Sequence, residues 1–261
     1  MPLKYVLPAL AVLASMATVG SSHAQQVLRV GANAVAPPIA FHDKESNTFR
    51  GVAVELIAAI GKDAGFDVQY TPVTTADMIA SLNANKIDII ASNMRVTPER
   101  KALVDFSQSY HTGGDGLVVP AADTKDYKTI DDLGAQKGSP QLAEMQKAGI
   151  FSDVKSFDSF ADVMRAVGKG EIAAGMIGAT FVRYEQRLGN FTDVRLVASY
   201  RPSSEVPGIA YGVRKSDGDL LSRINTSLAK LQADGTVNKI RRTTASSRHA
   251  VGGARLFAWR C

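Results

Sequence analysis

The stretch richest in usable chemistry is Ser92-Asn93-Met94-Arg95-Val96-Thr97-Pro98-Glu99-Arg100. It follows Lys86 to Ala91, an apolar run that reads as a buried strand, and it carries the signs of a helix start. Thr97 is a good N-cap, Pro98 is favoured at the first helical position, and Glu99 suits the positive helix end. Arg100 suits it badly: a cation in the first turn opposes the helix dipole, so a compensating anion is expected. Loop amides after a strand, a helix start and a fixed guanidinium together make a carboxylate or phosphate site. The competing assignment is a local ion pair of Arg100 with Glu99, Asp105 or another acid. Spacing alone leaves both open.

Catalysis finds little support. His42, His111 and His249 are scattered without metal-ligand spacing, and each reads as a surface or loop histidine. The run His111 to Gly116 is glycine-rich but lacks the Lys-Ser/Thr of a P-loop, and is expected to free the chain near a hinge. Asp131-Asp132 reads as a solvated helix start, and Ser139 has no G-x-S-x-G context. No catalytic residue, cofactor or metal is expected.

The elements that must position Arg100 alternate in type. Val27 to Ala32 reads as a strand, Val52 to Ala64 as a helix closed by Gly65, Phe66 to Val73 as a strand, and Ala76 to Leu82 as a short helix. A second unit repeats this grammar: helix Phe157 to Val167, strand Glu171 to Ile177, helix Thr180 to Leu188, strand Val194 to Ala198. Met78–Ile90 aligns with Val163–Gly175 at one fixed offset that places Ile172 on Ile87, a weak sign of a repeat. Leu117 to Pro120 and Gly208 to Val213 read as strands crossing between two lobes. A helix from Asp219 to Leu231 and a short one from Thr236 to Arg241 follow. The fold class is therefore α/β, each lobe a mostly parallel sheet flanked by helices.

Composition sets the compartment. Lys4, the apolar run Tyr5 to Gly20 and Ser22-His23-Ala24 form an export signal cleaved near Ala24. The single cysteine, Cys261, offers no disulfide, and with 45% hydrophobic residues the chain can rely on a packed core. The formal charge of +5 misleads: without Lys4 and the terminal Arg241, Arg242, Arg248, Arg255 and Arg260, 24 of 30 basic residues remain against 25 acidic ones. No nucleic-acid footprint is expected on the body.

LRVGAN…APPIAF (28–41), GVAVELIAAI (51–60), IASLNANKIDIIAS (79–92), VTPERKALVDFSQSY (96–110), TIDDL (129–133), GIAYGVRKSD (208–217) and LAKLQADGTVNKI (228–240) run in order through the chain. In these pieces it resembles the periplasmic amino-acid-binding proteins of ABC importers, bacterial extracellular solute-binding protein family 3. The resemblance implies a two-lobed periplasmic-binding-protein fold, joined by two crossing strands and closing like a hinge on one ligand. It divides the chain into a signal peptide (1–24), a discontinuous first lobe (25–117 and 208–241), a second lobe (118–207) and a divergent tail (242–261). Arg100 matches the arginine that clamps the ligand carboxylate, Arg95 a position that donates its backbone N–H to it, and Ser92 and Asn93 match cleft walls. Asn33, Phe41, Thr75, Ser139 and Gly178 complete the implied ligand site.

Departures from the pattern matter. Where similar proteins carry an aspartate for the ligand ammonium, this chain has Gly178; aromatic walls fall on Ala36 and Thr75; and Pro140, which has no N–H, stands where one would grip the carboxylate. An ordinary α-amino acid is then a poorer fit than another carboxylate, unless Glu144 or Glu205 substitutes. Only Gly134-Ala135 remain between Leu133 and Gln136, so the first strand of the second lobe is expected to be missing or rerouted. The tail beyond Arg242 is expected to be an unstructured extension. The function implied is capture of an amino acid or related small carboxylate by a monomer serving an inner-membrane ABC permease. The alternatives are an arogenate- or prephenate-type dehydratase on the same scaffold, or a degenerate sensor.

Overall fold

The structure, a computed structural model, describes residues 26–124, 132–148, 153–197 and 208–246. Two five-stranded sheets organise it. In the first, Phe66–Pro72, Gln26–Ala32 and Ile89–Ile90 lie parallel in that spatial order, and Gly212–Val213 and Asp105–Phe106 continue it antiparallel. In the second, Asp153–Phe157, Asp132–Gln136 and Ala174–Gly178 lie parallel, continued antiparallel by Asp115–Pro120 and Val194–Leu196. In both sheets the first parallel strand lies between the second and third. Open sheets of this kind place functional loops outside the carboxyl ends of the parallel strands.

Each sheet buries its own core. Helix Val52–Ala64 turns Leu56, Ile57 and Ile60 onto Val30 and Ile89, and Gly65 caps it, its N–H reaching the Gly61 carbonyl. Helix Gly218–Ala233 adds Ile224 and Leu228 to that cluster. Across the second sheet, Phe160–Gly168 packs Val163 and Val167 on Ile172 and Ile177. The offset repeat seen in the sequence has a structural counterpart. Asn85 (φ 55°) and Gly170 (φ 71°) occupy equivalent left-handed turn positions. Their N–H groups bond the carbonyls of Leu82 and Val167, and the next N–H groups, of Lys86 and Glu171, bond those of Ser81 and Ala166. Ile87 and Ile172 then bury alike.

The chain crosses between lobes at His111–Thr112 and returns at Gly208–Ile209, and the two crossings pair antiparallel, His111 with Ile209 and Thr112 with Gly208. Beside them Tyr110 and Tyr211 stack with ring centres 4.5 Å apart. Their hydroxyls donate to the carbonyls of Ser92 (2.7 Å) and Ala53 (3.0 Å), anchoring the hinge to the first lobe.

Two expectations need correction. The first strand of the second lobe is neither missing nor rerouted: Asp132–Gln136 is a full five-residue strand between two parallel partners. Gly134-Ala135 has little strand propensity, but small residues are needed there. A Cβ on Gly134 would stand 2.5 Å from Ile172 Cδ1 and 2.6 Å from Phe157 Cε2. The last helix does not stop at Arg241 but runs from Thr236 to Ser246, with Thr244 buried and its hydroxyl bonded to the Ile240 carbonyl. Residues 1–24 and the tail beyond 246 lie outside the described residues.

The lobes touch. Gly138, in the loop after Asp132–Gln136, has φ 73°, and a Cβ there would lie 2.7 Å from Ala76 Cα in the first lobe. Gly138→Ala therefore combines left-handed strain with a clash across the cleft, whereas Gly170→Ala adds the same strain where a Cβ meets nothing. Urea titration should show a loss of about 1–2 kcal/mol for Gly170→Ala and at least about 1 kcal/mol more for Gly138→Ala. Equal losses would show that the lobes do not hold this approach.

At the far side of the first sheet Asp88 accepts from Arg29 Nε (2.9 Å) and Nη2 (2.7 Å) and from Arg214 Nη2 (3.0 Å). The Arg29 hydrogen bond foremost holds its carboxyl down at about 2. A depressed carboxylate stabilises the fold above its ordinary value and ceases to do so as pH falls through the folded one. Asp88→Asn should cost about 1–2 kcal/mol at pH 7, discounted for the half-exposed Arg29. The gap between variant and wild type should close as pH falls from about 4 to about 2. A gap independent of pH would contradict the assignment.

Candidate functional site

Residues from the carboxyl ends of both parallel sets converge between the lobes. Asn33 follows Gln26–Ala32, Thr75 follows Phe66–Pro72, and Asn93 and Arg95 follow Ile89–Ile90. Ser139 and Gln141 follow Asp132–Gln136, and Gly178 ends its own strand. Two small cavities lie there. One, of about 10 Å³, is lined by Asn93, Arg95, His111, Gly178, Thr180 and Phe181 among others. The second, of about 20 Å³, is lined by Asn33, Thr75, Arg100, Ser139, Gln141 and Phe160, and shares Asn93 and Arg95 with the first. Each is about the size of one water. The cleft is closed.

The helix start reads as the sequence suggests. Pro98–Lys101 is a single turn with Pro98 at its start, and the Thr97 hydroxyl accepts from Arg100 N at 3.4 Å. Among the described residues no carboxylate pairs with the Arg100 guanidinium. Asp105 instead meets Lys215 at 3.3 Å. Arg100 donates through Nη1 to the Arg95 carbonyl and through Nη2 to the Gly138 carbonyl, both at 3.1 Å. It thereby spans the two lobes on neutral acceptors. Burial first, and then the neighbouring Arg95 charge, bring its pKa down to about 10, against an upward pull from Glu99. It remains a cation at neutral pH.

Arg95 does more than its backbone suggests. Its guanidinium makes a two-pronged pair with Asp115, Nη1 to Oδ2 and Nη2 to Oδ1, with 7% and 5% of the two side chains exposed. Gln141 Nε2 adds a third bond to Asp115 Oδ1 at 2.5 Å. Asp115 opens the strand that leads into the second sheet, and Gln141 sits in helix Pro140–Ala148. One buried carboxylate therefore gathers the first-lobe loop, the hinge and a second-lobe helix. Sequence reading passed over Asp115 and Gln141. The available signal was a lone acid inside the glycine-rich run Gly113-Gly114-Asp115-Gly116, which needs a cation if it is buried.

The remaining predicted positions divide. Asn33 Nδ2 donates to Thr75 Oγ1 at 2.6 Å and its Oδ1 accepts from Val35 N at 2.9 Å, bracing two loops at the cavity wall. The Ser139 hydroxyl accepts from Leu142 N at 3.2 Å, capping the helix that Pro140 begins. Ser92 and Phe41 are buried but line neither cavity. Aromatic walls absent at Ala36 and Thr75 come from the second lobe, where Phe160 and Phe181 lie 5.4 Å apart. His111 is also on the wall: its Nε2 is buried with no partner among the described residues. Burial, then Arg241, push its pKa down, so the ring is neutral at pH 7. The side chain of Glu144, and all of Glu205, lie outside the described residues. Among the described residues no cluster of three or more His, Cys, Asp or Glu could hold a metal.

Comparison with known proteins follows this geometry. The ABC transporter arginine-binding protein 1 of Escherichia coli K12 is 29% identical over 241 residues, 88% of this chain and 95% of the relative. The structure of an ancestral arginine-binding protein bound to glutamine superposes with a TM-score of 0.74 at 30% identity, covering 85% of this chain and 98% of that one. An ancestral amino-acid-binding protein, AncCDT-1, described as a precursor of cyclohexadienyl dehydratase, gives 0.73 at 27% identity over 84% and 96%. The family model of the bacterial extracellular solute-binding proteins, family 3, matches residues 28–244, and the chain belongs to that family.

Proposed function

We propose that this solute-binding protein works in the periplasm, as a monomer, capturing a small carboxylate-bearing solute and presenting it to an inner-membrane ABC permease. The support is of three kinds. Relatives along most of the chain are amino-acid-binding proteins of ABC transporters, including the arginine-binding protein of E. coli. The first residues carry an export signal ahead of Gln25. The observation that carries the reading is Arg100, a cation on the cleft wall held by carbonyls of both lobes and paired with no carboxylate among the described residues.

The mechanism follows from those bonds. With the lobes apart, the Gly138 carbonyl leaves Arg100, whose guanidinium can donate to a carboxylate through a planar two-pronged contact. Closure then brings Gly138, Ser139 and Phe160 over the guest and excludes water. A ligand shifts the open and closed populations only by its differential affinity for them, so closure needs a guest that engages both lobes.

A dehydratase reading draws on the AncCDT-1 likeness alone. Such a reaction needs a general acid or base near its substrate. The described cavity walls offer His111, held neutral, and no carboxyl group. Incubation with prephenate and arogenate should give no turnover above the uncatalysed rate.

Arg100→Ala should weaken binding of the best ligand from a thermal-shift panel by at least about tenfold, about 1.4 kcal/mol, in calorimetric titration. Unchanged affinity would remove Arg100 from the site and the capture reading with it.

A further inference from the structure

The charges on the closed cleft restrict the guest further than the family does. Among the described residues, the side chains lining the two cavities include two guanidiniums, Arg95 and Arg100, one imidazole, His111, and no carboxylate. The acid that touches this array, Asp115, is not on either wall. Both its oxygens are held by Arg95, and one is held again by Gln141. Of the three charges in this group, Arg95 and Asp115 cancel, leaving Arg100 as the cation to be matched.

An α-carboxylate supplies that match. An α-ammonium on the same molecule would enter beside the Arg95–Asp115 pair, whose carboxylate is already taken up by Arg95 and Gln141. Among the described residues of the cavity walls it would find uncharged acceptors alone, such as Asn93, Thr75, Thr180 and main-chain carbonyls. Dehydrating an ammonium without a counter-charge is costly. To serve an ammonium, Asp115 would have to release a buried guanidinium, exchanging one unpaired charge for another. A hydroxyl or oxo group meets none of these costs. His111 Nε2, buried without a partner and neutral, and the amide of Asn93 are suited to it.

We infer that the cleft selects small carboxylates without an α-ammonium, 2-oxo and 2-hydroxy acids, and that the Arg95–Asp115 pair is the element that excludes α-amino acids. This rests on the capture reading above and names its substrate class. Arg95 is then a specificity residue that acts by occupying Asp115.

The test is calorimetric titration of the wild-type protein with matched sets: pyruvate, L-lactate and L-alanine; 2-oxoglutarate, L-2-hydroxyglutarate and L-glutamate; and the oxo and hydroxy counterparts of the other common amino acids. At least one oxo or hydroxy acid should bind, with its amino-acid counterpart at least about tenfold weaker. An amino acid that binds as well as or better than its counterparts overturns this inference and leaves solute capture standing. No binding across all sets overturns both. Arg95→Gln, which frees the Asp115 carboxylate, should narrow the gap by about tenfold or more in favour of the amino acid; an unchanged gap overturns the role given to the pair. Because that variant can also lose stability, the wild-type comparison stands by itself as the deciding measurement.

Discussion

A guanidinium and a carboxylate buried together are stable only while each has the other. Arg95 and Asp115 meet this condition at the point where the chain leaves one sheet for the other. Two-pronged geometry and the third bond from Gln141 satisfy the carboxylate, offsetting the dehydration that isolated charges would suffer. The pair fixes the loop after Ile89–Ile90 against the hinge. That loop in turn offers the Arg95 carbonyl to Arg100. The position of Arg100, a cleft cation with no carboxylate partner among the described residues, thus follows from a contact that lies behind it.

Around this contact the architecture is doubled. Each sheet has the same parallel order, and each has the same left-handed turn, at Asn85 and at Gly170, before its third parallel strand. Carboxyl ends of both sets therefore face one cleft, and loops from six parallel strands can contribute to it. Paired crossings at His111–Thr112 and Gly208–Ile209 are the hinge that the proposed opening requires, and the Tyr110–Tyr211 stack attaches it to the first lobe. Arg100, bonded to Gly138 across the cleft, ties the two halves together in this closed arrangement.

Local signals in the sequence were legible where one residue decides the geometry. Thr97-Pro98 marks a helix start, Gly65 a helix end, and the shared spacing of Ile87 and Ile172 a recurring turn and strand. Of the site positions that the family resemblance implied, Asn33, Thr75, Asn93, Arg95, Arg100, Ser139 and Gly178 line one or other of the two small cavities between the lobes. What stayed hidden depends on distant neighbours. Gly134 looks like a break until Ile172 and Phe157 are seen packed over it. The Arg95 side chain has no sequence-local partner, since Asp115 is twenty residues away and Gln141 twenty-six beyond that. Spacing left Arg100 open to a local acid or to a ligand anion, and the structure holds its guanidinium on carbonyls of both lobes. Spacing along a chain reports helical and strand faces, not pairings made by closure.

The most direct measurement is a double-mutant cycle on the hinge contact, with Arg95→Met, Asp115→Leu and the two combined, each unfolded in urea. A buried, desolvated pair predicts that each single variant is strongly destabilised and that the double variant recovers about 2 kcal/mol or more of the summed loss. Losses that simply add, within about 0.5 kcal/mol, would show that the two side chains do not depend on each other.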